Sequence, residues 1–188
     1  MEKTLIEKKL FSKEECEKIK SYAKLKVRVV PIYHDEYDGQ GSRMLSDTLP
    51  WDNSEYDWVY DRIKNWIDTL DLNIDNLGYS MVICHYSKGC YFKPHIDDVM
   101  RGYEGEIARK RYFTIGVQLS DKDEYGGGEL QFETTHKIFG EKFKDVRTMK
   151  QDAGYVWIAD KHLHWVNEIT SGIRWSIQIF LEQDAMKE

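Results

Sequence analysis

The residues best suited to chemistry in this chain are His95 and Asp97, which lie two positions apart within residues 86–98. Side chains in an extended segment repeat with a period of two, so this imidazole and this carboxylate point to the same side. They could therefore bind one metal ion together. A second imidazole from elsewhere would complete a set of two histidines and one carboxylate, which occupies one face of the ion and leaves positions open for other ligands.

Two histidines, His162 and His164, are candidates for the second imidazole. They are also two residues apart, so in an extended segment they would share a face and either could reach the ion. A bare His-x-Asp pair is common as an ordinary surface pair, and the rest of the chain must decide between the two interpretations. The other histidines, His34, His85 and His136, fit ordinary surface or core positions.

A strand predicted over residues 173–181 separates its side chains into two faces. The even positions carry Arg174, Ser176, Gln178 and Phe180, and the odd positions carry Trp175, Ile177, Ile179 and Leu181. The apolar face is expected to pack in the core. On the other face, a guanidinium and a hydroxyl two residues on could hold a carboxylate through a bidentate pair and one further donor. The alternative is that this polar face meets solvent, as on many half-buried sheets.

Two helices are predicted in the first part of the chain. Ser12 and Glu15 have the form of a capping box, which predicts a helix over residues 13–24. A second helix is predicted over residues 55–70, where apolar residues recur at the three-and-four spacing of a buried stripe. Residues 27–30 are typical of a short strand. We expect both helices to be structural.

From residue 77 onward the pattern changes to short strands and turns. The predicted strands span residues 79–86, 111–120, 129–133, 146–149, 155–159 and 173–181. One face of the 111–120 strand would suit a pocket wall; it carries Tyr112, Thr114, Gly116 and Gln118. Residues 134–145 show little periodicity and are predicted to form an inserted loop. Helices followed by strands without intervening helices indicate an α+β fold, mainly β, with an antiparallel barrel or sandwich.

The composition is that of a soluble globular protein, with 188 residues, 41% hydrophobic and 32% charged. This length predicts one domain over residues 1–188. A net charge of −6 argues against a general nucleic-acid binder. The three cysteines, Cys16, Cys84 and Cys90, have no metal-binding spacing and suggest reduced thiols. We find no secretory signal or membrane-spanning run, so the expected location is cytoplasmic.

In these features the chain resembles the iron(II)- and 2-oxoglutarate-dependent dioxygenases, and among them the prolyl-4-hydroxylase-like group. The matching features occur in order: Tyr86 before a glycine-containing turn, His95-Ile-Asp97, the strand 111–120, the Gly-Gly-Glu-Leu segment within 126–132, Leu163-His164-Trp-Val166, and Gly172-Ile-Arg174-Trp-Ser176. His164 follows Asp97 by 67 residues and precedes Arg174 by ten, as in the family. The resemblance covers residues 77–181 well and the first 76 loosely.

The resemblance implies a double-stranded β-helix, or jelly roll, over residues 77–181, with the helices of the N-terminal part, residues 1–76, packed on one sheet. It also implies that His95, Asp97 and His164 bind Fe(II), and it favours His164 over His162, which becomes a surface or outer residue. Arg174 and Ser176 would hold the distal carboxylate of 2-oxoglutarate. The remaining implied contacts with this cosubstrate are those of Tyr86 and Gln118.

Enzymes of this kind use 2-oxoglutarate and O2 to hydroxylate an unactivated C–H bond, releasing succinate and CO2, and ascorbate is a further expected cofactor. Halogenases of the family have a small residue at the carboxylate position, so Asp97 favours hydroxylation, although desaturation and cyclisation stay open. The expected substrate is a peptidyl residue such as proline; a free amino acid or another small metabolite is the alternative.

Two further functions stay open: a non-catalytic jelly-roll module that binds metal, and an AlkB-like nucleic-acid demethylase. Retention of Arg174 and Ser176 argues against the first, and the acidic composition argues against the second. Residues 99–110 and 134–145 are candidate lids over the site. Their basic residues would suit an acidic substrate if they face it; these are Arg101, Arg109, Lys137, Lys142 and Lys144.

Overall fold

The computed structural model describes residues 4–26, 31–33, 43–45, 49–50, 57–72, 74, 77–101, 107–139 and 141–184. The strand predicted over residues 27–30 lies outside these ranges. The helices are α1 (Lys13–Lys26) and α2 (Asp57–Ile67). The strands are β1 (Leu5–Lys9), β2 (Pro31–Tyr33), β3 (Arg43–Leu45), β4 (Leu49–Pro50), β5 (Gly78–Ser87), β6 (Phe92–His95), β7 (Val99–Arg101), β8 (Ile107–Gln118), β9 (Tyr125–Gly127), β10 (Leu130–Ile138), β11 (Glu141–Thr148), β12 (Tyr155–Ala159), β13 (His164–Val166) and β14 (Ile169–Asp184).

Two antiparallel sheets build the core of the fold. The larger sheet has the strand order β1-β12-β8-β14-β5-β4, with β7 also paired to β8 and β9 to β14, and the smaller has the order β11-β10-β13-β6. The inner faces share a hydrophobic cluster in which Phe132 and Val166 of the smaller sheet pack with Trp157 and Ala159 of the larger one. The predicted α+β, mainly β jelly roll is therefore confirmed.

The two helices pack against the outer face of the larger sheet. One continuous core joins apolar residues of both helices with the outward-facing residues of β8 and β14; its members include Cys16, Ile19, Val59, Ile63, Ile115, Val117, Ile177 and Ile179. The odd positions of β14 face the helices, as their apolar pattern predicts, so its even positions must face the smaller sheet. None of the helices in the described ranges is long and apolar enough to cross a membrane.

The predicted capping box begins helix α1. The Ser12 amide donates to Glu15 Oε2 at 2.9 Å, and the Glu15 amide donates to Ser12 Oγ at 3.2 Å. One turn further on, Lys20 is fully buried and its ammonium lies 2.5 Å from Glu124 Oε2. Because Glu124 directly precedes β9, this ion pair fixes the start of β9 against helix α1.

The prediction of an inserted loop over residues 134–145 is wrong. Strand β10 continues to Ile138 and pairs with β11 from Gln131–Thr148 to Ile138–Glu141, which makes a long β-hairpin. All eight residues of β11 are exposed. A strand that buries neither face has no hydrophobic alternation, so the period-two signal was absent although the strand is present.

The first candidate lid, residues 99–110, is also partly strand. Residues 99–101 form β7 and pair with the start of β8, which begins at Ile107 rather than at the predicted residue 111. The residues between these two strands, 102–106, lie outside the described ranges. Within the described part, both ends of this segment are thus held in a ladder of hydrogen bonds.

Candidate active site

Three side chains from adjacent strands form a cluster of metal-binding type. His95 ends β6, Asp97 follows it, and His164 begins β13, directly opposite His95 in the antiparallel pair. Asp97 Oδ1 lies 3.7 Å from His95 Nε2, and Asp97 Oδ2 lies 3.5 Å from His164 Nε2. The three donor atoms lie within 4.8 Å of one another. The structure therefore brings together the three residues that the sequence analysis singled out.

The orientation of both imidazole rings is set by backbone carbonyl groups. His95 Nδ1 lies 2.7 Å from the Lys93 carbonyl oxygen, and His164 Nδ1 lies 3.0 Å from the His162 carbonyl oxygen. A carbonyl oxygen can only accept, so each Nδ1 carries the proton and each Nε2 presents a lone pair toward Asp97. This tautomer is the one that metal-binding histidines adopt when their other nitrogen is held by the protein.

The charge states of the cluster also suit a divalent ion. Burial lowers the pKa of His95 to about 4, and the neighbouring His164 adds to the effect, so the ring is neutral at neutral pH. Burial alone would raise the pKa of Asp97, but His164, His95 and Arg111 around it hold that pKa well below its usual range. A neutral imidazole and an ionised carboxylate are the forms that bind metal. The donor set therefore fits Fe(II).

Two residues of β8 hold the carboxylate of Asp97, and the sequence analysis did not single out either for this role. Thr114 Oγ1 donates to Asp97 Oδ2 at 2.9 Å, and Arg111 Nη1 lies 3.5 Å from Asp97 Oδ1. The Arg111 guanidinium also stacks 3.7 Å above the Phe180 ring. Thr114 lay on the polar face predicted as a pocket wall, but its partner could be known only from the fold.

Replacing Thr114 with valine is expected to weaken metal binding by about 10- to 100-fold, the usual cost of losing a partner that orients a ligand. The change keeps the volume and removes only the hydroxyl that fixes Asp97. Titration of the folded protein with Fe(II) or Co(II) measures the affinity. Thr69→Val is a matched control, since it removes a hydroxyl bonded to the Trp66 carbonyl at the end of helix α2. Equal metal affinities for the two variants would contradict this role of Thr114.

His162 lies outside the cluster of three donors, and the expectation that it is a surface residue is wrong. It is 4% exposed, its Nδ1 lies 3.0 Å from Asp160 Oδ1, and its ring meets Phe132 edge-on at 6.0 Å. Strand β13 begins only at His164, so the two-residue periodicity of a strand does not extend to His162. Its backbone carbonyl nevertheless orients His164.

The polar face of β14 is buried rather than solvent-exposed. Arg174 is 2% and Ser176 is 1% exposed, and they lie opposite Tyr86 and Cys84 of β5 in the register. Among the described residues, Arg174 Nε, Arg174 Nη1 and Ser176 Oγ have no hydrogen-bond partner. Buried polar groups are rarely left unpaired, and a bound carboxylate would satisfy all three. This pocket therefore fits one end of 2-oxoglutarate.

Tyr86 and Gln118 border the same pocket in different ways. The Arg174 guanidinium lies 5.3 Å from the centre of the Tyr86 ring, so Tyr86 faces it with its π-system. Gln118 Nε2 donates to the Ser120 carbonyl at 2.8 Å and to the Tyr125 hydroxyl at 2.9 Å. Both protons of the Gln118 amide are thus already used within the protein.

The small cavity beside Arg174 has further walls that the sequence analysis missed. Its lining residues are Gln118, Tyr125, Gly128, Leu130, Met149, Lys150, Gln151, Trp157 and Arg174. Trp157 also packs against Phe132, and a Cβ added at Gly116 would lie 2.2 Å from the Trp157 ring. Gly116 is therefore required for Trp157 to occupy the interior between the two sheets.

Comparison with protein families gives one match. A family model described as the 2OG-Fe(II) oxygenase superfamily matches residues 81–182, more than half of the chain. The matched range contains the metal-type cluster and Arg174. A search of curated protein sequences found no match.

Several solved structures share the fold. A viral collagen prolyl hydroxylase from Paramecium bursaria Chlorella virus 1, solved with 2OG, is 17% identical with a TM-score of 0.62, covering 97% of this chain and 96% of its own. A prolyl-4-hydroxylase of Pseudomonas putida is 12% identical with a TM-score of 0.64, covering 95% and 92%. An oxidoreductase of the 2OG-Fe(II) oxygenase family from Burkholderia pseudomallei is 14% identical with a TM-score of 0.61, covering 94% and 84%.

Proposed function

Because this chain belongs to the 2OG-Fe(II) oxygenase superfamily, whose members are dioxygenases, we propose that His95, Asp97 and His164 bind its Fe(II). Arg174 and Ser176 then hold the distal carboxylate of 2-oxoglutarate. The observation that carries the proposal is that both Nε2 atoms face one ionised carboxylate, with a buried and unpaired guanidinium in the neighbouring pocket. A degenerate binding module would have no use for that guanidinium.

When bound, the iron supplies the oxidative chemistry: O2 and 2-oxoglutarate are consumed, succinate and CO2 leave, and one oxygen atom enters a C–H bond of the substrate. Three protein donors leave three positions on a six-coordinate ion, enough for a bidentate oxoacid and O2. The protein orients these reactants and excludes water. The rings of Trp157 and Phe132 pack beside His164 and so help to exclude water from the site. Ascorbate belongs to the proposal as an accessory reductant.

The proposed substrate is a peptidyl residue such as proline. Two of the fold relatives bear the name prolyl hydroxylase, which motivates the choice. A feature of this chain supports it: Phe132 lies opposite His164, and from there the β10–β11 hairpin runs six residues past the cluster to Ile138. An extended peptide could lie along such an edge by backbone hydrogen bonding. A free amino acid would gain no binding energy from this strand edge.

Two of the basic residues in the candidate lids have acidic partners within the protein, which weakens the case for an acidic substrate. Arg109 pairs with Glu182 at 2.5 Å, and Lys144 pairs with Glu133 at 3.0 Å. No feature in the described part of the chain favours a nucleic-acid substrate. The proposed compartment is cytoplasmic, which is consistent with Cys16, Cys84 and Cys90 being buried and outside any disulfide.

A substrate-dependent succinate assay tests the proposed function. Purified protein is incubated with Fe(II), 2-oxoglutarate, O2 and ascorbate, together with proline-containing peptides, free amino acids or single-stranded nucleic acid. We expect peptides to stimulate succinate formation and to gain the mass of one oxygen atom, and the His95→Ala variant to do neither. Stimulation by free amino acids alone would assign a small metabolite instead. Stimulation by nucleic acid alone would assign a demethylase.

A further inference from the structure

Tyr125, the first residue of β9, is a buried aromatic residue at the distal end of the cosubstrate pocket. It is 7% exposed and lines the same cavity as Arg174 and Gln118. A Cβ added at Gly128 would lie 3.2 Å from the Tyr125 ring and 3.4 Å from Arg174 Cδ. Gly128 thus lies against both the phenol ring and the guanidinium stem, and Ile169 Cδ1, 2.2 Å from such a Cβ, leaves no room for a side chain there.

The hydrogen bonds around Tyr125 determine what its hydroxyl group can do. Gln118 Nε2 donates to the Tyr125 oxygen at 2.9 Å and to the Ser120 carbonyl at 2.8 Å. The second contact identifies the amide nitrogen, because a carbonyl cannot donate to the amide oxygen. Tyr125 is therefore the acceptor from Gln118, and the guanidinium of Arg174 can only donate as well. The phenol proton can therefore be donated only to a third partner.

Among the described residues, the Tyr125 hydroxyl accepts a hydrogen bond but donates none, although the residue is buried. Burial raises the pKa of Tyr125, and the nearby Arg174 only partly opposes that rise, so the hydroxyl keeps its proton at neutral pH. The neighbouring Arg174 Nε, Arg174 Nη1 and Ser176 Oγ are also buried and without partners within the described ranges. Several buried polar groups that can donate are thus collected around one place without partners among the described residues.

We propose that the Tyr125 hydroxyl donates a hydrogen bond to the distal carboxylate of 2-oxoglutarate, as a donor additional to Arg174 and Ser176. This inference rests on the proposed function and deepens it. Gln118 then acts through Tyr125: its amide holds the phenol oxygen and directs the proton into the pocket. Helix α1 supports the arrangement from behind, because buried Lys20 pairs with Glu124, the residue just before Tyr125.

The test compares two ligands that share the metal end of the site. 2-Oxoglutarate reaches the distal pocket, whereas oxalate chelates the metal through the same kind of bidentate contact and is too short to reach Tyr125. Calorimetry with the Zn(II)-loaded protein measures both affinities without turnover. For Tyr125→Phe we expect 2-oxoglutarate to bind about 10- to 100-fold more weakly, as for loss of a hydrogen bond to a charged group, and oxalate to bind unchanged.

The controls separate the possible outcomes. Tyr79→Phe removes a phenol oxygen from a half-exposed ring stacked on Tyr60 and should leave both affinities unchanged. Unchanged 2-oxoglutarate affinity in Tyr125→Phe would overturn this inference and leave the proposed function intact. Equal loss for both ligands would also overturn it, since the effect would then lie at the metal. Wild-type protein that binds oxalate but not 2-oxoglutarate would instead refute the proposed function.

A second variant keeps the inference testable if Tyr125→Phe folds poorly. Gln118→Leu removes the donor that directs the phenol, so 2-oxoglutarate should bind several-fold more weakly while oxalate does not. Where Tyr125→Phe does fold, combining it with Gln118→Leu should cost less than it costs in the wild type, because two residues acting through one hydrogen bond are not additive. Additive losses would show that Gln118 acts independently of Tyr125 and would contradict the proposed arrangement.

Discussion

Replacing His164 with alanine is expected to abolish Fe(II) binding, with a loss in affinity of more than about 100-fold. The reason is that partners outside the ligand set already cost 10- to 100-fold when removed, and His164 would supply one of only three protein donors. Anaerobic titration with Fe(II) and 2-oxoglutarate measures the effect through the visible charge-transfer band of a chelated oxoacid. The variant should show no band while remaining folded by circular dichroism.

His162→Ala is the matched control for this experiment. His162 is as buried as His164, but its ring meets Phe132 and Asp160, and only its backbone carbonyl faces the metal ligands. Alanine keeps that carbonyl, so the band should persist, with a loss of about 1–3 kcal/mol in the free energy of unfolding from the smaller core side chain. Loss of the band in His162→Ala but not in His164→Ala would show that His162, rather than His164, is the metal ligand.

Replacing Arg174 with methionine is expected to weaken 2-oxoglutarate binding by about 30- to 5000-fold. Truncating one partner of a buried charge pair costs about 2–5 kcal/mol, and the distal carboxylate would lose its only buried guanidinium within the described residues. Fe(II) binding without cosubstrate should be unchanged, because His95, Asp97 and His164 supply all the donors. Calorimetry with the metal-loaded protein measures the two affinities separately.

The same Arg174→Met variant should have the opposite effect on stability. In the absence of ligand, Arg174 is a buried charge with two nitrogen atoms that lack partners in the described part of the chain. Removing it should leave the free energy of unfolding unchanged or raise it by about 1–3 kcal/mol. Arg62→Met is the control, since Arg62 pairs with Glu15 between the helices and should not affect cosubstrate binding. A variant with normal 2-oxoglutarate affinity would refute the role of Arg174.

Several features of this protein follow from local sequence alone. The capping box at Ser12 predicts the start of helix α1, because both hydrogen bonds join residues three apart. The alternation along β14 predicts its two faces, because successive side chains of a strand point to opposite sides of the sheet. The His95-x-Asp97 spacing also kept two donors close together, although β6 ends at His95 and its alternation does not extend to Asp97. Periodicity is a local property, so it can be read without the fold.

The tertiary structure decided the features in which distant segments meet. The spacing of His162 and His164 is compatible with either as a ligand, and only the start of β13 opposite His95 places His164 in the cluster. The strand character of residues 141–145 in β11 was hidden because the strand buries neither face. The contacts of Thr114 with Asp97 and of Tyr125 with Gln118 depend on how strands and turns pack in three dimensions. Such contacts leave no periodic signal in the chain, since each partner alone is an ordinary strand or turn residue.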